Sequence, residues 1–423
     1  MGAAAIAEFG IDVARVHPDM TSISVYGDYD DVEEGFAQPR YGHPKDRRPD
    51  LKQVQTGLGV TADGGVPVFH RAYDGGAGEV SQVTGAMQAL REIAGERKLL
   101  LVGDSKLVSY ANLAAMIEAG VTFVAPASKT YVDTATLAAQ DVASATLVDY
   151  AAERDKRKPP EQRGVWRVVE DTMTLAGKRK ADPVLQLRRV FVWSSARAGA
   201  AKTARDKKLD RARHDLQRLD KGLGGRHYPS VAKVQARLAA IAAQRKVKAY
   251  LHAEVGLDEA GKPTLDWRFD DDAIAAEAAT DGWYALLTNL DPTQADAAEV
   301  LRRHKGQEVV ERRYHNFKGP LAVAPMLLKN NRRIQALISV ICLALLLFSL
   351  IERALRLAIA PALVLAGLWA GRPAKPTGRL ILSTLSRLRL TPATATTPAV
   401  IPQPPPLQAR ILQLLGVDPT RRR

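Results

Sequence analysis

The sequence predicts an α/β protein: a mixed sheet flanked by helices, interrupted by an inserted β-rich domain that carries a basic helical pair. Three observations lead there. Over residues 19–127, strand-like and helix-like patterns alternate, as in a sheet covered by helices. From Lys129 to about Asp281, β-like pieces surround two strongly basic helices. After that the alternation resumes, with an apolar strand and two helices.

Taken in order, residues 21–26 are the first strand, and 52–60 and 67–73 are the second and third. The last two are joined by TADGG, whose Asp63-Gly64 is a hairpin turn signal. Residues 79–95 form a helix leading to LLLVGD, a short apolar run ending at Asp104, as expected of a strand buried on both faces. A crossover helix over 110–118 and a parallel strand over 121–126 follow. The insertion then contributes VWRVVED, LRRVFVW, VKAYLHAEV and TLDWRF, with basic helices on either side of the turn-forming GLGGRHYPS. GWYALLTNL is the last strand, followed by helices over 296–317 and 331–357. The predicted division is 1–128 and 282–371 for the core, 129–281 for the insertion, and 372–423 for a Pro-rich tail without fixed structure.

Sixty Lys and Arg against 46 Asp and Glu give a net charge of +14, which points to a polyanionic partner, nucleic acid first and an anionic membrane second. The single cysteine, Cys342, excludes an internal disulfide and a Cys-based zinc site and fits a reducing cytosol. The opening MGAAAIAEFGIDVARVHP lacks the basic and apolar regions of a secretory signal. Residues 334–351 carry no charge over nearly a bilayer's thickness, bracketed by Arg332, Arg333, Glu352 and Arg353. By composition this is a membrane span or a helix buried in a core.

Three carboxylates stand out. Asp19 leads into the first strand and Asp104 ends the buried run, and ligands collect at the carboxyl ends of parallel strands. Glu311 lies in HKGQEVVERRYHNFK, where His304, Gln307, Glu311, His315 and Lys318 share one polar stripe opposite Val310, Tyr314 and Phe317. Carboxylates converging on one point need hard divalent cations such as Mg²⁺. Two such ions roughly 4 Å apart activate the attacking oxygen and stabilise the leaving oxygen in phosphoryl transfer. Lys318 is placed to hold a phosphate. Each residue also has a plain structural reading. Asp19 and Asp104 could be turn caps, Glu311 part of a solvated helix face, and the basic helices a salt-bridged surface. Trp166, Trp193, Trp267 and Trp283 are most simply strand-packing aromatics.

The segments DMTSISVYGDY, YGHPKDRRPDLKQVQTGLGVTADGGVPVF and LLVGDSKLVSYANLAAMIEAGVTFVAPAS closely resemble insertion-sequence transposases of the DDE superfamily, whose core is RNase H-like. That family's third carboxylate lies in a Tyr, Arg, Glu, Lys signature with gaps of two, three and six residues. The same gaps give His304, Gln307, Glu311 and Lys318. The likeness covers roughly residues 10–360.

The resemblance implies an RNase H-like fold and metal-dependent DNA cleavage and strand transfer. Asp19, Asp104 and Glu311 would be the catalytic residues and would hold two Mg²⁺ or Mn²⁺ ions. Lys318, His304, Gln307 and Lys106 would contact double-stranded DNA. It further implies a homodimer in the cytoplasm, away from membranes, with 334–351 as a buried helix. Asp19 sits in Asp-Met-Thr where the family commonly has Asp-Thr-Thr, and His304 and Gln307 replace Tyr and Arg, removing a fixed positive charge. Family members carry a further N-terminal region that binds the element's ends, so the expectation here is a chain shortened at that end. Two other classes stay open: a catalytically inactive DNA-binding remnant, and a membrane-anchored basic protein.

Overall fold

The computed structural model describes residues 2–30, 32–319, 321, 326–386, 388, 394–396 and 403–418. The chain divides into two compact units, the first comprising Met1–Ala125, Leu175–Leu185 and Arg303–Arg423, the second Pro126–Thr174 and Gln186–Arg302.

The first unit begins with helix α1 (Gly2–Phe9) and strands β1 (Arg15–Ser24), β2 (Gln53–Thr61) and β3 (Pro67–Tyr73). Helix α2 (Glu79–Ala94), β4 (Leu100–Val102), α3 (Tyr110–Glu118) and β5 (Thr122–Pro126) follow. The strand order is β3-β2-β1-β4-β5. β1, β2 and β3 are successively antiparallel, whereas β4 runs parallel to β1 and β5 parallel to β4. The hairpin turn falls at Asp63-Gly64, with Gly64 and Gly65 at φ of 72° and 67°, values that glycine adopts without steric cost. β1 begins earlier than the residue pattern suggests, so Asp19 lies inside the strand, opposite Leu58 of β2.

The second unit contains α4 (Thr134–Ala138), β6 (Thr146–Val148), β7 (Trp166–Leu175), β8 (Leu185–Ser194), the long α5 (Ser195–Lys221) and α6 (Val231–Arg245). It continues with β9 (Leu251–Leu257), β10 (Pro263–Phe269), α7 (Asp271–Ala278), β11 (Trp283–Thr288) and α8 (Ala297–Lys305). Its strands run in the order β11-β8-β7-β6, and β9 and β10 form a separate antiparallel ribbon. Leu216, Leu219, Val234 and Ile241 of the helical pair pack with Leu265, Trp267 and Phe269 of the ribbon. β11, which the sequence assigns to the core, falls in the second compact unit and pairs antiparallel with β8 from Trp283 opposite Trp193 to Thr288 opposite Arg188.

The chain returns to the first unit with α9 (Glu308–Lys318), α10 (Asn331–Ala358), β12 (Leu365–Trp369), β13 (Arg372–Ala374), α11 (Gly378–Leu385) and α12 (Pro406–Leu414). The single helix expected over 296–317 is two, broken at Gly306. Glycine there weakens the helix and lets the backbone pass His17, since a Cβ would lie 3.3 Å from the imidazole Cε1. Val310, Tyr314 and Phe317 of α9 and Ile334, Ile338, Cys342 and Leu345 of α10 pack on Val54, Leu58 and Val60 of β2. The other face of β2 receives α2, whose Leu90 sits so close to Gly59 that a Cβ there would be 2.9 Å from it. Covered on both faces, β2 is buried along its whole length.

At 28 residues and a mean hydropathy of 2.7 over its most apolar window, α10 is long and apolar enough to cross a membrane; half of that window is buried in the protein. Within the Pro-rich stretch after residue 371, the described residues form β13, α11 and α12, and Ile381 and Ile411 are fully buried beside Leu355 and Leu368. Their apolar spacing is what the surrounding Pro and Thr obscure in the sequence.

Candidate active site

Asp19 lies mid-way along β1, with its side chain one-fifth exposed. Its Oδ1 accepts the Met20 amide at 2.7 Å and lies 3.8 Å from the Lys45 ammonium. Its backbone carbonyl accepts the Tyr314 hydroxyl at 2.5 Å, which fixes the strand under α9. Burial pushes the Asp19 carboxyl up to about 6, against the pull of Lys45 and the Met20 amide and with help from the charges of Asp104 and Glu79.

Asp104 follows β4, the strand parallel to β1, at its carboxyl end. It caps the 3₁₀ turn Ser105–Leu107, its Oδ1 accepting the Lys106 amide at 2.9 Å. Oriented by its partners, the Gln307 side-chain amide donates to the Gly103 carbonyl and accepts from the Asp104 amide, both at 3.1 Å. The turn-cap reading of Asp104 is therefore correct geometrically, and it is compatible with function. The cap uses Oδ1 and leaves the carboxylate on the rim of a cleft shared with Asp19.

That cleft opens between the sheet and α2. Phe69, Tyr73, Val83, Met87, Leu101 and Leu107 form its apolar wall, and Asp19, Glu79, Gln82, Asp104 and Lys106 its polar rim. Two of its charged partners are absent from the sequence reading. Glu79 opens α2, where a carboxylate favours the positive helix end. Its Oε1 lies 3.3 Å from Lys45 and its Oε2 3.9 Å from Lys106. The Lys45 ammonium thus bridges Asp19 and Glu79. A lysine in the loop before β2 and a glutamate at a helix start have no sequence spacing relative to Asp19, so only the fold reveals them.

Of the remaining candidates, Lys106 lies in the 3₁₀ turn after β4, and the others lie on α8, on α9 or between them. Lys318 donates to the Ser22 carbonyl on β1 at 2.8 Å, and burial lowers its pKa, with Asp46 and Asp19 opposing the shift and Lys45 adding to it. His304 lies against His17; burial first, then Lys305 and His17, hold it near 3, so it is a neutral imidazole at ordinary pH. Gln307 is committed to the Asp104 backbone. Lys106 is exposed on the rim. Glu311 is exposed, makes no hydrogen bond or ion pair among the described residues, and is not among the main charges acting on Asp19. Among the described residues, no three His, Cys, Asp or Glu are arranged to hold a metal ion. Asp19 and Asp104 nonetheless offer the hard oxygens that Mg²⁺ takes, an ion that commonly binds one or two carboxylates and completes its shell with water and phosphate.

No family model matches the chain, and no curated protein matches it. Among solved structures, the chain is similar to a piggyBac transposase in a synaptic complex with hairpin DNA, at a TM-score of 0.35 and 8% identity, over 80% of this chain and 47% of that one. The chain thus spans about half the length of that structure.

Proposed function

We propose that this protein is a DDE-type DNA transposase whose first unit is an RNase H-like catalytic core that cleaves and joins DNA strands. The observation that carries the reading is the meeting of Asp19 and Asp104. One lies within β1 and the other at the carboxyl end of the adjacent parallel β4, and both line the same cleft. The motif resemblance selects the same two residues. Asp19 and Asp104 would hold a Mg²⁺ or Mn²⁺ ion, whose charge would offset that which builds up on a phosphoryl group during in-line displacement. Lys318 and Lys106 supply positive charge for a phosphate backbone. Glu79, paired with Lys45 and Lys106, sets the positions of those two lysines.

The exposed position of Glu311 favours a second reading, a DNA-binding protein that keeps the fold without the reaction. Incubating the full chain with duplex DNA in Mg²⁺ or Mn²⁺ separates the two. The transposase reading predicts nicking or strand joining that Asp19→Asn and Asp104→Asn each abolish. Cleavage that persists in both variants would remove it, and DNA binding without cleavage in either metal would favour the second reading.

A further inference from the structure

We propose that the outward stripe of α5, formed by Lys207, Arg211, His214, Arg218 and Lys221, is a track for the sugar-phosphate backbone of duplex DNA. The spacings of four, three, four and three residues put these five side chains on one helical face. All five are exposed, and among the described residues none takes part in an ion pair or hydrogen bond. The opposite face is committed to the unit's own interior through Leu209, Ala212, Leu216 and Leu219.

Four other cations of the helical pair are instead held by carboxylates. Lys202 pairs with Asp206 at 2.8 Å, Arg205 with Asp281 at 2.5 Å, Arg213 with Asp210 at 2.7 Å and Arg245 with Asp215 at 2.7 Å. The acids of α5 are therefore spent on the flanks and underside, apart from Asp220, which points more than a quarter-turn away from Lys221. What remains is a row of one sign extending about 21 Å along a rigid helix. A row in which five positive or protonatable groups face outward, with Asp210 at its edge already paired to Arg213, is suited to a polyanion of matching linear form, and duplex DNA carries one charge per about 1.7 Å of axis. An anionic bilayer fits less well. A helix lying on lipid sets an apolar face beside its basic one, whereas the apolar face of α5 is already buried. The choice of DNA as the polyanion rests on the DNA-acting reading above; the stripe itself does not depend on Asp19 or Asp104.

The test is the binding of the full chain to a fluorescently labelled duplex of arbitrary sequence, by anisotropy over a series of salt concentrations. The variant combines Lys207→Gln, Arg211→Gln, Arg218→Gln and Lys221→Gln. Loss of up to four phosphate contacts should make the slope of log K against log salt shallower by about 3–4, at roughly 0.9 per contact, with affinity at physiological salt falling at least about tenfold. Its melting temperature should match wild type, because the four side chains are exposed and, among the described residues, make no hydrogen bond or ion pair. If the fourfold variant unfolds, the single reversal Arg211→Glu carries the same test. An unchanged slope, or a wild-type chain that binds phosphatidylserine vesicles in preference to DNA, overturns the proposal. A failed cleavage assay alongside a slope that responds to the stripe would count against the catalytic reading alone.

Discussion

The Tyr314 hydroxyl donates to the Asp19 carbonyl at 2.5 Å and accepts the Leu58 amide at 3.0 Å, so one phenol on α9 ties together the two strands that carry and flank the first carboxylate. It lies within 3.1 Å of the Thr56 carbonyl as well. Burial holds its pKa well above 10, so it stays protonated as a donor.

Tyr314→Phe removes that donor and acceptor and leaves the Leu58 amide without its partner. Urea unfolding should show a loss of about 1–3 kcal/mol. An unchanged midpoint and slope would mean that the phenol does not tie β1 to β2.

Asp19 sets a pH dependence of stability. Its carboxyl titrates near 6 in the folded chain and near 3.8 when unfolded. Between those values the folded chain keeps a proton that the unfolded chain has released. Its contribution to stability is therefore full below about pH 4 and lost as pH rises through 6. Asp19→Asn removes this dependence, so the stability of the variant relative to wild type should increase by about 2–3 kcal/mol between pH 4 and pH 7. A difference independent of pH would contradict the buried, proton-holding Asp19.

His17 acts in the opposite direction. Burial, aided by Arg15, lowers its pKa to about 4 against the opposing Val102 backbone, from 6.5 in the unfolded chain. A depressed base contributes stability that is present above 6.5 and lost as pH falls toward 4. His17→Leu should therefore lose about 2–3 kcal/mol less than wild type between pH 7 and pH 4. Equal acid sensitivity in both would show His17 to be solvated.

The Glu352 carboxylate joins α9, α10 and α11, accepting Arg313 at 3.2 Å, Arg356 at 2.6 Å and the Gly378 amide at 2.9 Å. Arg313 in turn donates to the Gly64 and Gly65 carbonyls of the hairpin. Glu352→Leu leaves two arginines facing each other in a buried site and should cost about 3–5 kcal/mol by chemical denaturation. Arg313→Met combined with Glu352→Leu should cost less than the sum of the single changes. Strict additivity would mean that the two residues do not interact.

Much of the first unit is legible in the sequence, because hydrophobic period and turn chemistry agree there. Asp63-Gly64 marks the hairpin, LLLVGD marks the buried strand, and α3 runs from Tyr110 to Glu118 as its pattern indicates. The buried stripe Val310, Tyr314 and Phe317 also follows from helical spacing. The starting point of β1 does not, since His17-Pro18 breaks the β-like pattern while Pro18 is accommodated opposite Gly59. Nor do the partners of the site. Glu79 approaches from the start of α2 and Lys45 from the loop before β2, and local pattern carries no record of either approach. Gln307, placed on a polar stripe by its spacing, bonds the Gly103 and Asp104 backbone instead, and lies in the break between α8 and α9.

The central claim is that Asp19 and Asp104 together form a hard-cation site. The most direct measurement is a Mn²⁺ titration of the full chain followed by electron paramagnetic resonance, which reports loss of the free-ion signal without requiring the right DNA. The account predicts saturable binding in the wild type that Asp19→Asn and Asp104→Asn each weaken at least about tenfold, with Glu311→Gln close to wild type. Binding that survives both Asp substitutions, or that depends on Glu311 alone, would contradict it.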